Sequence, residues 1–148
     1  MTHKEKAKKL FLNGANCSQS VFAEFSDITG IDENTAMLIS SSFGGGMGHL
    51  GEVCGALTGA FMAAGALYGY AENGGPEAKE NHYKLIRRMA NSFKETYCTI
   101  LCRDLKISFA NSKYDNIIPN SEDYKKRPCL IFVEKAVDIL EDVIDKHN

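Results

Sequence analysis

The sequence predicts an all-α fold, a compact bundle of about five to six helices around a buried central helix rich in glycine and alanine. Three observations carry that expectation. Apolar residues recur at helical spacings along most of the chain. No segment shows the sustained alternation and β-branched enrichment of a half-buried strand. The stretch from Val53 to Ala71 holds no charge and sets Gly55, Ala56, Gly59, Ala60, Ala63 and Ala64 where other helices can approach closely. It approaches bilayer-spanning length, but glycine and alanine add little transfer free energy, so it reads as a buried helix. At 148 residues the chain is expected to form one domain, 1–148.

The elements follow in order. Ala7, Leu10 and Phe11 mark a first short helix that stops near Asn13-Gly14. A second carries Cys17, Val21, Phe25 and Ile28 on one face, with Asn16 at the N-cap and Thr29-Gly30 at its close. Asp32 caps a third, which runs to about Ser41. A glycine-rich loop, Gly44 to Gly51, leads into the small-residue helix. Asn73-Gly74-Gly75-Pro76 interrupts the chain, and Pro76 opens a long helix with the apolar face Ile86, Met89, Phe93, Tyr97. The polar stretch from Leu105 to about Lys126 reads as loop with at most a helical turn. Pro128 opens the last helix, whose buried stripe is Val133, Val137, Leu140 and Ile144.

Composition narrows the function classes. The chain is 44% hydrophobic and 24% charged, with net charge −2, as expected of a soluble globular protein. Nothing in that balance predicts nucleic acid or an anionic membrane as partner. The start, Met1 to Lys6, shows no apolar core of a secretory signal, which points to a cytoplasmic location. In that reducing compartment cysteines favour metal binding or redox chemistry over structural disulfides. The cysteine count of five, an odd number, argues the same way.

On this map Cys17, Cys54 and Cys129 fall in the first turn of a helix. Free backbone N–H groups and the helix dipole there favour a thiolate. Cys102 lies towards the end of the long helix beside Arg103, whose charge favours the same form. Any one buried cysteine more often only fills space. No C-x-x-C occurs, so zinc-ribbon, ferredoxin and thioredoxin patterns are absent. Cys98 and Cys102 share a helix face, with Cα atoms roughly 6 Å apart on ideal geometry; a disulfide there would be strained.

The cysteine segments resemble the family of redox-active proteins named for a C-GCAxxG-C-C pattern. Asn13-Gly14-Ala15-Asn16-Cys17-Ser18-Gln19-Ser20-Val21 is similar to the first-cysteine segment. Gly44-Gly45-Gly46-Met47-Gly48, then Gly51-Glu52-Val53-Cys54-Gly55-Ala56-Leu57-Thr58-Gly59, is similar to the signature. Cys102-Arg103-Asp104-Leu105 and Pro128-Cys129 resemble the third and fourth elements, and Cys98 is extra to the pattern. A similar domain occurs in split-Soret cytochrome c proteins, where related cysteines are associated with an iron–sulfur centre. The resemblance therefore implies that Cys17, Cys54, Cys102 and Cys129 form one cofactor or metal site, and selects Cys102 over Cys98. Three helix N-termini aimed at such a cluster would stabilise its negative charge. Zinc would accept the same four ligands. Without metal the thiols could pair and shuttle two electrons. The haem-attachment signature C-x-x-C-H is absent, so no haem is implied.

Other motifs weigh less. Gly46-Met47-Gly48-His49-Leu50-Gly51 satisfies G-x-G-x-x-G, with Glu72 about where a ribose-binding acid would stand. It lacks the flanking strands, and its glycines are better explained by tight backbone approach around Cys54, an anion at this helix start being the minor reading. His49 is a candidate ligand or proton donor, although a loop histidine is more often solvated. His3, His82 and His147 read as surface residues, and Met37, Met47, Met62 and Met89 as core filling. Three functions compete: a redox protein with an iron–sulfur cluster or another metal, for electron transfer or sensing; a metal-free thiol–disulfide protein; and an interaction module with buried cysteines, its small-residue helix at a homodimer seam. The redox partner is unknown, and no enzyme class can be named.

Overall fold

The computed structural model describes residues 1–147. The first helix, α1 (His3–Leu12), opens on a capping box in which Thr2 and Glu5 satisfy each other's backbone N–H groups. Asn16 and Gln19 repeat the device at α2 (Cys17–Phe22). The single helix expected beyond Cys17 is broken. A 3-10 turn (Ala23–Phe25) joins α2 to α3 (Ser26–Thr29), and a turn with fewer residues advances the phase of the side chains. Phe25 faces the core, and Ile28 is 39% exposed instead of on the buried stripe. As expected, Gly30 ends this region, in the left-handed conformation, and Asp32 caps α4 (Glu33–Ser40) by accepting from the Thr35 N–H.

A short glycine turn, α5 (Gly44–Met47), precedes the central helix α6 (Gly55–Tyr68). Its residues Gly55, Ala56, Leu57, Gly59, Ala60, Ala63 and Ala64 are all buried. α2 packs across it so closely that a Cβ on Gly59 would lie 2.6 Å from the Ser18 carbonyl oxygen. The long helix α7 (Gly75–Tyr97) buries Leu85, Met89, Phe93 and Tyr97. The final helix, α10 (Leu130–His147), buries Val133, Val137 and Leu140 against α6 and α1. None of these helices is long and apolar enough to cross a membrane, among the described residues.

Two stretches depart from expectation. The region expected to be loop holds α8 (Cys102–Ala110) and α9 (Glu122–Lys126). Leu105 is buried, and the Phe109 ring sits 5.2 Å from Phe132 and 5.4 Å from Tyr114. Packing on this aromatic cluster stabilises a helix too short to stand alone. Three side-chain readings also change, His82 being half-buried with Nδ1 out of solvent rather than at the surface. Met47 is exposed rather than core filling, and His3 is half-buried, stacked on Phe25 and hydrogen-bonded to Glu24.

Candidate functional site

Cys17, Cys54, Cys102 and Cys129, from four separated segments, line one cavity of about 460 Å³. Each is fixed by a local device. Cys17 is the first residue of α2, held by the Asn16–Gln19 capping box. The Asn16 amide donates to the Ser41 carbonyl at 3.1 Å and the Gln19 amide to the Met37 carbonyl at 3.1 Å, tying this helix start to α4 and the turn after it. Cys54 and Cys102 are set by a short antiparallel pairing centred on Val53 and Leu101. The Cys54 N–H donates to the Ile100 carbonyl at 2.8 Å, and the Cys102 N–H to the Glu52 carbonyl at 2.6 Å. Cys129 follows Arg127 and Pro128, with Arg127 anchored on Phe11.

Cys102 is thus not near the end of the long helix. That helix stops at Tyr97, where Cys98 caps it with φ 67°, and Cys102 begins α8. All four cysteines stand at helix starts: Cys17 and Cys102 as first residues, Cys54 as the N-cap of α6, and Cys129 immediately before α10. Thr99 marks the break. Its hydroxyl accepts from the Leu101 N–H at 3.1 Å, an ST-type turn that competes with helix continuation. Cys98 is exposed and lies outside the cavity, so it shares no face with Cys102.

The glycine loop wraps one wall. Gly45, Gly46, Met47, Gly48 and His49 all have positive φ, a left-handed turn. It brings Gly45 and Gly48 to the cavity, and a Cβ on Gly46 would stand 2.6 Å from the Cys102 Cβ. The Gly45 backbone favours the Cys17 thiolate, against the effect of burial. His49 also lines the cavity, folded back over Gly45.

The expected thiolate bias is reversed. Burial pushes the Cys17 and Cys54 thiols up, Cys54 well above the ordinary value, and burial pushes Cys129 up to about 11. Backbone N–H groups at the α2 and α6 starts pull the other way, as does the charge of Lys106 and Arg127 on Cys129. Desolvation outweighs these few donors. Metal-free, these three are protonated thiols at neutral pH. All five cysteines are free, and among the described residues no three His, Cys, Asp or Glu side chains converge on one ion-sized point. The sulfurs border a volume.

Sequence reasoning missed Lys106, Lys126 and Arg127, which also line the cavity. Their signal was position: Lys106 lies one helical turn past Cys102, and Lys126-Arg127 directly precedes Pro128-Cys129.

Residues 15–143 match a family model described as "Putative redox-active protein (C_GCAxxG_C_C)". No curated protein and no solved structure matches the chain.

Proposed function

The chain belongs to the redox-active C_GCAxxG_C_C family, and on that premise we propose that Cys17, Cys54, Cys102 and Cys129 hold an iron–sulfur cluster for electron transfer or redox sensing. One observation carries the reading: four thiols from distant segments share the walls of one cavity. Thiolates are the usual ligands of such clusters. A bound cluster would supply one-electron chemistry. The chain's own groups would hold the sulfurs, exclude water at Cys54, and set the ligands at helix starts, where free N–H groups favour negative charge. Hydrogen bonds to sulfur and burial are the levers that tune a cluster's potential. A bound cation also offsets the cost of ionising buried thiols.

Anaerobic purification and reconstitution, followed by iron, sulfide and zinc analysis and absorption spectroscopy, tests this. The expected result is a coloured protein with matched iron and sulfide, lost in Cys54→Ser and retained in Cys98→Ser. A colourless chain with every thiol titratable overturns the proposal. Zinc without sulfide would reassign the quartet to a closed tetrahedral site. Cys–Cys pairs as the sole redox product would favour metal-free thiol–disulfide exchange.

A further inference from the structure

We propose that the mouth of the cysteine cavity is a binding site for a small oxyanion-bearing molecule, a carboxylate or a phosphate, held by Lys106, Lys126 and Arg127. It deepens the redox reading, because it names the class of molecule that would meet the site, but it rests on the cavity and not on a cluster.

Charge is the first argument. The chain has 19 acidic and 17 basic side chains, yet the cavity is lined by three of the cations and by no Asp or Glu. Among the described residues, none of these three cations pairs with a carboxylate. Cations left unpaired around a concave surface focus an attractive field for anions.

Placement is the second. Lys106 and Lys126 are exposed and Arg127 is half-buried, whereas Cys54 is buried at 4% exposure and Leu105 and Phe132 are buried beside it. The cations are therefore the part of the lining that solvent and a ligand can reach. Arg127 is preorganised: its guanidinium carbon lies 4.0 Å from the Phe11 ring centroid, and Nη1 donates to the Phe11 carbonyl at 3.2 Å. That leaves the rest of a planar donor fork, matched to carboxylate and phosphate.

Shape is the third. A volume of about 460 Å³ lies within the range of small-molecule pockets. Phe11, Leu105 and Phe132 give it an apolar wall for the organic part of a ligand.

The test uses the full, reduced, metal-free chain, with alkylation at each cysteine followed by mass spectrometry. Iodoacetate is an anion and iodoacetamide is neutral. Exposed Cys98, outside the cavity, is the internal reference. The iodoacetate-to-iodoacetamide rate ratio at Cys129 is expected to exceed that at Cys98 by roughly threefold or more at low salt. Succinate or inorganic phosphate should protect Cys129 saturably, and which one does so identifies the preferred oxyanion. The double variant Lys106→Gln, Lys126→Gln, which keeps Arg127, should lower the ratio and weaken protection several-fold at unchanged melting temperature. Equal ratios at the two cysteines, or a ratio and protection undiminished in the variant, overturns the proposal. Because the assay contains no iron, a chain that fails it can still load a cluster, and one that passes can still refuse iron.

Discussion

Met47 and His49 hold left-handed torsions, φ 71° and 63°, within a turn otherwise made of glycine. Each such non-glycine residue costs about 1–2 kcal/mol. The turn persists because the chain around it leaves no alternative: the Glu52 N–H donates back to the Gly46 carbonyl at 2.9 Å, and Gly46 itself packs on Cys102. Two substitutions should move stability in opposite directions. Gly46→Ala would bring a Cβ to 2.7 Å from the Glu52 backbone nitrogen at φ +71°, and should cost about 2–4 kcal/mol. Met47→Gly removes strain at an exposed position and should stabilise by about 1 kcal/mol. Urea denaturation of the reduced, metal-free chain checks both, and a destabilised Met47→Gly would contradict the left-handed turn. Side-chain chemistry at this scale was partly legible. Asn16 and Asp32 act as the caps their residue types suggest, because capping is local. The protonation of Cys17 and Cys129 was not legible, since burial depends on what packs over the helix start.

The helices themselves were legible where periodicity was long. The apolar spacing of α7 and α10 marks faces that meet the core, with Ile86 and Ile144 half-buried at their margins. α8 was hidden by its shortness, nine residues that run into the polar stretch after Ala110, and the break at Cys98–Leu101 by the apolar residues around it. For α6, low charge and small residues signalled a close-packed helix, but not which small residues matter. Gly59 and Gly65 separate the two cases. A Cβ on Gly59 would meet the Ser18 backbone, while nothing lies within 4 Å of one on Gly65. Gly65→Ala should therefore stabilise by about 0.5–1 kcal/mol through helix propensity alone. Gly59→Ala gains the same propensity yet should lose about 1–3 kcal/mol net, as α2 is forced off α6. Thermal melts of the two single variants decide this, and equal shifts would mean that α2 and α6 do not pack through Gly59.

At the scale of the whole molecule, no spacing rule could announce that Cys17, Cys54, Cys102 and Cys129 share a cavity, because their meeting depends on how α2, α6, α8 and α10 converge. Family resemblance supplied the grouping, and packing explains it. Another whole-molecule property, the response of folding to pH, follows from one contact between the chain start and the 3-10 turn. The Glu24 carboxylate has 10% of its side chain exposed, with His3 Nδ1 at 3.1 Å. Burial raises its carboxyl above the ordinary 4.5; His3 and Lys6 oppose the shift, and Asp27 adds to it. The folded chain thus keeps this proton to higher pH than the unfolded chain does. The contribution is fully present below the unfolded value and is lost as pH rises through the folded one. In the pH window that opens above the ordinary 4.5, wild-type stability should fall relative to Glu24→Gln, whose amide keeps an acceptor for His3 but cannot ionise. Urea midpoints across that window are the measurement. Parallel curves would remove Glu24 as the coupled group, and a wild type that gains on the variant as pH rises would mean that attraction to His3 and Lys6 outweighs burial.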